Sequence, residues 1–241
     1  MTRIIRSLLV AFVLSSGVLA AAVLSAVPAR AVSIERVVSP GGIEAWLVRD
    51  HTNPIISMRF AFRGGAALDP EGKGGLANMT SALLDEGAGE LDSKAFQGKL
   101  EDLVTPLRFN AGRDTFGGSL KTLVENRDVA FDLLKLAMTE PRFDQEPVER
   151  IRSQILAGLR QEKEDPGTVA RRRLMKTLFP GHPYGRPVKG TEETVAKLTP
   201  ADLRAFTARR LARNNLVIGV VGDITPAELG RRLDEVFADL P

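Results

Sequence analysis

The chain has 241 residues, with 33 Lys and Arg, 30 Asp and Glu, and no cysteine. That length suits one large domain or two small ones, with no disulfide to staple it. Residues 1–31 hold Arg3, Arg6 and Arg30 and no acid, so 30 basic residues face 30 acidic ones in the remainder; this balance excludes the broad excess of clustered cations that nucleic-acid binding needs.

The first stretch, MTRIIRSLLVAFVLSSGVLAAAVLSAVPARA, reads as a secretory signal peptide. Arg3 and Arg6 form the basic region, Ser7 to Val27 the apolar run, and Ala29-Arg30-Ala31 a small-x-small cleavage site. Cleavage after Ala31 is expected to leave residues 32–241 in the periplasm or outside the cell, with no stable membrane association. The alternative is retention as an anchor, since the apolar run is long enough to span a bilayer. The mature chain of about 210 residues must then be stabilised by its core alone.

Ile34 to Val38 and Gly42 to Val48 alternate in polarity and are split by Ser39-Pro40-Gly41-Gly42, a hairpin pattern. Ile55 to Phe62 is a third strand, with Ile56, Met58, Phe60 and Phe62 in phase. Residues 75–86 and 93–104 have helical periodicity. Leu107 to Ala111 and Thr115 to Leu123 are two more strands around Gly112-Arg113-Asp114, with Gly117-Gly118 read as a bulge. Asn126 is placed as the cap of a helix over Arg127 to Met138. Pro147 to Lys163 is a long amphipathic helix, and Pro166 starts the next, which runs to Leu178. A Pro/Gly loop covers Phe179 to Pro187. Thr199-Pro200 starts another helix. Asn215 to Val221 is a buried strand, and Thr225-Pro226 opens the last helix. Strands precede helices and hairpins dominate, so the fold class is α+β, an antiparallel-rich sheet with helices on one face.

Candidate chemistry is sparse. His51 and His182 are the only histidines. His51 is read as a solvated turn residue and His182 as ordering its loop by hydrogen bonding. A zinc site would need both, plus carboxylates from separate elements. Asp85 and Glu86 are adjacent, point to different faces, and are read as solvated or capping. Arg171-Arg172-Arg173 is read as a solvated helix face, with docking of an acidic partner as the alternative. Trp46 is assigned to the core. No Ser/His/Asp arrangement stands out, and neither Gly64-Gly65 nor Gly74-Gly75 leads into the Lys-Ser/Thr of a phosphate loop.

Several stretches, taken together and in order, carry a resemblance. They are GGIEAWLVRDHTNP, Arg63-Gly64-Gly65, Gly75-Leu76-Ala77 before a helix, the strand with Asn110-Ala111, FPGHPYGRPVKGT (179–191) and LTPADLRAF…NNLVIGVVGDI (198–224). From about Ile34 onward the chain resembles one lobe of the insulinase/pitrilysin-type zinc peptidases, the family that includes mitochondrial processing peptidase. The resemblance implies a two-layer sandwich over residues 32–241, with a mixed, mostly antiparallel sheet covered on one face by helices. It also implies a second, similar lobe, which is not found before the chain stops at Pro241.

In that family the chemistry sits on the first helix as His-x-x-Glu-His, two zinc ligands one turn apart with a Glu that activates the bound water. A third ligand, a Glu, comes from a later helix. The matching positions here are Asn78, Ser81 and Ala82, with Ala157 or Gly158 in the place of the third ligand. The resemblance therefore implies no catalytic residue and no zinc in this chain, and zinc in a partner that keeps the motif. It further implies a peptide substrate added to the edge strand Arg108, Phe109, Asn110, Ala111 and Gly112; the plainer alternative is a sheet edge blunted by Arg108 and Arg113. Partners in this family also supply Arg and Tyr side chains from their second lobe. The leading expectation is a non-catalytic subunit that pairs with a zinc-bearing homologue for periplasmic oligopeptide proteolysis. The alternatives are an active zinc peptidase with a displaced metal site, and a stand-alone peptide-binding or scaffold protein, as the respiratory core subunits are.

Overall fold

The computed structural model describes residues 32–241; the signal-peptide reading lies outside the described residues. β1 (Glu35–Val38) and β2 (Glu44–Arg49) form the expected hairpin. Its turn closes by Ser39 N–H donating to the Ile43 carbonyl at 2.9 Å, with Gly42 at φ 84°. β3 (Ile55–Arg63) has the period of two that its sequence shows, burying Ile56, Met58, Phe60 and Phe62. β4 (Leu107–Ala111) and β5 (Thr115–Leu123) form a second hairpin, and β6 (Leu216–Gly222) arrives late in the chain.

The sheet order is β1-β2-β6-β3-β5-β4. Every neighbouring pair is antiparallel except β2 with β6, which is parallel. The mixed, mostly antiparallel sheet is thus as expected. Insertion of β6 between β2 and β3 could not be read from strand periodicity, which says nothing about order. A parallel pair needs a long connection, and residues 50–215, which hold β3 to β5 and seven helices, supply it between β2 and β6.

The helices are α1 (Leu76–Ser81), α2 (Ser93–Asp102), α3 (Arg127–Thr139), α4 (Gln145–Glu164), α5 (Pro166–Leu178), α6 (Glu192–Ala196), α7 (Pro200–Arg210) and α8 (Pro226–Phe237). α1 packs on β4 and β5, α3 on β5, and α8 on β1, while α7 backs α1. All lie on the face that buries Leu47, Met58, Phe62, Phe116 and Leu120. Among the described residues no helix covers the other sheet face. Register places Arg36 opposite Trp46, Trp46 opposite Gly219, and Gly219 opposite Arg59, so these residues share it.

Four local expectations are corrected and one helix is added. The helix read over 75–86 is helical only from Leu76 to Ser81; Leu83 and Glu86 N–H bond three residues back, to Thr80 and Leu83, so the chain tightens out of the helix. Gly117-Gly118 form no bulge, because β3, β4 and β5 pair without interruption through them. A Cβ at Gly118 would lie 2.7 Å from the Phe60 ring and 2.5 Å from the Arg108 carbonyl oxygen, so close approach requires the glycine. Asn126 does not cap through its side chain, which donates to the Leu103 carbonyl at 3.2 Å. Trp46 is not core. Ala45 and Leu47 take the inward positions, and the alternation leaves Trp46 47 % exposed. The α6 helix was not expected; the Thr191–Thr194 capping box that starts it is its sequence signal.

Candidate functional site

The best-braced element is α1. Asp69, buried just after the 3₁₀ turn Ala66–Leu68, accepts from Gly75 N–H at 2.9 Å and Ala77 N–H at 3.1 Å. These are backbone donors that the first turn of a helix leaves without partners. Gly75 sits at φ 92°, where a Cβ would lie 2.6 Å from the Lys189 carbonyl oxygen. Burial pushes the Asp69 carboxyl up to about 6, against the pull of the Ala77, Gly75 and Leu76 amides. Arg186 holds this turn from outside, donating to the Ala67 carbonyl at 2.9 Å and the Asp69 carbonyl at 3.1 Å.

Arg186 belongs to the FPGHPYGRP loop, whose Phe179, His182 and Tyr184 rings pack within 4.9–5.9 Å of one another. His182 Nδ1 accepts from Tyr184 N–H at 3.2 Å, the loop-ordering role expected of it. Tyr184 Oη–H donates to Asp114 at 2.7 Å at the tip of the β4–β5 hairpin. Hairpin tip, loop and α1 are therefore one braced unit.

Asn78 on α1 and Ala82, just past its end, are half-buried, and Ser81 is buried. The Ser81 hydroxyl donates to the Asn78 carbonyl at 2.8 Å, inside its own helix. On α4, Ala157 is exposed and Gly158 half-buried, and a Cβ at Gly158 would meet nothing within 4 Å. These side chains do not fit zinc. The set comprises a neutral amide, a hydroxyl committed to the backbone, and alanine or glycine positions without a donor, whereas a zinc site requires three or four imidazole, thiolate or carboxylate ligands. His51 and His182 do not compensate. His51 Nδ1 lies 2.5 Å from Asp223, on an exposed turn, and His182 is held in its loop. Among the described residues no group of three or more His, Cys, Asp and Glu side chains converges.

β4 is a sheet edge, paired with β5 alone among the strands described. Gly112 N–H donates to Thr115 at 2.8 Å, and Pro106 accepts from Lys121 at 3.1 Å. Two-residue alternation between those points turns the N–H and C=O of Leu107, Phe109 and Ala111 away from β5. Arg108 and Asn110 side chains are exposed on the open sheet face, and the Phe109 ring packs edge-on against Phe60 at 5.9 Å. Gly112 lies beyond the strand, and its carbonyl is taken by Ala66 N–H at 2.9 Å. The edge can therefore offer backbone partners at three residues, in the manner of strand addition.

Asp85 and Glu86 are not solvated. Arg150 of α4 forks onto Glu86 at 2.6 and 3.3 Å, with the Ser93 hydroxyl beside it. Asp85 is half-buried, and burial pushes its carboxyl up to about 6, Glu86 adding to the effect and Gln97 and Arg108 opposing it. The early end of α1 produces this, because the tightened turn sends both carboxylates toward other elements. Sequence reasoning also missed Asp69, whose only signal is an Asp six residues before a Gly-Leu-Ala helix start.

No family model matches the chain. It is 30% identical over 192 residues to the non-peptidase homolog YmxG of Helicobacter pylori, covering 80% of this chain and 44% of that protein. A solved structure described as the peptidase M16 inactive domain from Pseudomonas fluorescens superposes with TM-score 0.82 and 30% identity, covering 87% of this chain and 51% of that one. The periplasmic protease PqqL of Escherichia coli shares the fold alone, with TM-score 0.76 and 17% identity over 90% of this chain and 25% of that one. The chain spans about half the length of the curated relatives it matches. No helix among the described residues is long and apolar enough to cross a membrane.

Proposed function

This chain is a first-lobe relative of the insulinase/pitrilysin-type zinc peptidases, and from that premise we propose that it is the non-catalytic member of a periplasmic peptidase pair. It holds no catalytic zinc. A homologous chain with His-x-x-Glu-His supplies the metal and the chemistry, the two chains enclose the substrate, and β4 of this chain holds the peptide by its outward backbone groups. The observation that carries the reading is Ser81. At the position of the general base stands a buried hydroxyl bonded within its own helix, beside Asn78 and Ala82 in place of the ligands. A side chain so placed neither binds metal nor activates water. Two relatives, one a non-peptidase homolog and the other an inactive domain, support this reading.

The need for a further layer is supported by the open sheet face. Val38, Trp46, Val217 and Val221 stand 47–51 % exposed there, on neighbouring strands. Apolar surface gathered on a sheet face is stable when another element covers it. The covering element is assigned to the zinc-bearing homologue.

The test is co-expression with a candidate His-x-x-Glu-His homologue, followed by co-elution and an oligopeptide cleavage assay. The expected result is a complex that cleaves faster than the partner alone. A partner that is equally active alone and does not co-elute overturns the proposal. Zinc in the purified chain, with chelator-sensitive cleavage by the chain alone, favours a displaced metal site instead.

A further inference from the structure

The charge on residues 32–241 is balanced overall, but not in one place. A hollow of about 330 Å³ opens between α4, α5 and the segment 185–189. Arg113, Arg171, Arg172, Lys176, Arg186 and Lys189 line it, against one carboxylate, Glu162. The ion pairs inside it, among the described residues, are those of Glu162 with Arg172 and with Lys189. Arg186 is bonded to neutral carbonyls, and Arg171 reaches only the Thr168 hydroxyl, at 3.3 Å. The Arg113 Nε is shut off from water and has no hydrogen-bond partner.

We infer that this hollow binds the acidic stretch of a peptide. Guanidinium groups take carboxylates in paired hydrogen bonds, and Arg171 and Lys176, exposed on α5, have no carboxylate partner among the described residues. Met175, Pro187 and Val188 share the lining and give the methylenes of Glu or Asp side chains an apolar surface, so the hollow suits amino-acid side chains better than a bare inorganic anion. Arg113 lies in the turn directly after β4, so a peptide laid along that edge carries its continuation into the hollow. Identification of the ligand as a peptide rests on the β4 reading above; the affinity for carboxylates does not.

The test measures fluorescence anisotropy with the full chain, using dye-labelled hexaglutamate and hexaglutamine peptides and inorganic phosphate as competitor. Hexaglutamate is expected to bind about tenfold more tightly, with the preference shrinking as salt rises. The double variant Arg171→Glu, Lys176→Glu, at exposed positions of α5, should abolish the preference and leave the unfolding midpoint unchanged. Ala111→Pro removes an outward N–H of β4 and should weaken both peptides alike, which reports on the edge-strand reading separately. Equal affinity for the two peptides, or a preference that survives the double variant, overturns the inference. Displacement of hexaglutamate by phosphate at equal concentration overturns its assignment to a peptide.

Discussion

Two regions that share Arg186 behave in opposite ways. On the α1 side, polar groups are answered from within: Asp69 takes the free amides of the helix, Ser81 bonds its own backbone, and Arg186 closes the turn below. On the hollow side and on the open sheet face, groups go unanswered. Arg113 has a buried Nε without an acceptor, and Trp46 is half in water. The contrast separates what a fold needs from what a partner needs. A helix that has no metal ligands still keeps its cap, its left-handed glycine and its packing, because these hold the sheet. Surfaces that keep unmatched charge or apolar area gain nothing for the isolated chain.

The largest test of this contrast is core deletion on α1. Met79 is fully buried, whereas Leu174 on α5 is 55 % exposed. Met79→Ala should destabilise by about 2–5 kcal/mol and Leu174→Ala by less than about 0.5 kcal/mol, read by urea unfolding. Similar losses at the two sites would break the comparison.

The next test is pH. The Asp69 carboxyl is about 6 in the fold against 3.8 in a free chain. Below the lower value both states are protonated and the group contributes its full stability. As pH rises from about 4 to about 6 the unfolded chain releases its proton first, so stability falls, by on the order of 2–3 kcal/mol in all, and then levels. Asp69→Asn removes the titration. The stability difference between wild type and this variant should therefore move against wild type across that window. A difference independent of pH would show that the amides cancel the effect of burial at Asp69, and one that moves in favour of wild type would show that they dominate.

Much of the fold was legible because its signals are local. Alternation places Ile56 to Phe62, and Thr199-Pro200-Ala201-Asp202 starts α7 with the Thr199–Asp202 capping box. The frame of α1 was legible from Gly75-Leu76-Ala77. What was not legible depends on partners far along the chain. Asp69 caps across six residues and is backed by Arg186, 117 residues away, and Glu86 meets Arg150 across 64. The hollow joins a hairpin turn, a helix and a loop, so only Arg171 and Arg172 of its six cations showed as a run. Trp46 was misplaced because an aromatic residue in an alternating strand does not itself reveal the phase.

A graft sharpens the chemical half of the comparison. Asn78→His with Ala82→His puts two imidazoles one turn apart at half-buried positions. The cost should be within about 1 kcal/mol, and zinc retained after dialysis should be substoichiometric, because two ligands do not make a site. Adding Gly158→Glu, where a side chain meets open space, should raise zinc content measured by atomic emission. If Ala157→Glu does so and Gly158→Glu does not, the third position belongs to residue 157.

The smallest effect on the isolated chain is expected at Trp46, and it is informative for that reason. The side chain lies on the open face beside Gly219, which offers it no side-chain neighbour on β6. With 47 % of its surface in water, it buries little that an unfolded chain would expose. Trp46→Ser should therefore shift stability by less than about 1 kcal/mol. In the presence of a covering lobe the same change removes a large aromatic group from the centre of an interface, where truncation costs about 2 kcal/mol or more. Unfolding of the chain alone, set against co-elution with a zinc-bearing homologue, separates the two. A Trp46→Ser chain that unfolds like wild type and no longer co-elutes places the open face in the interface. A chain that loses several kcal/mol on its own would mean that Trp46 serves the fold, and would move the open face to the same side of the comparison as α1.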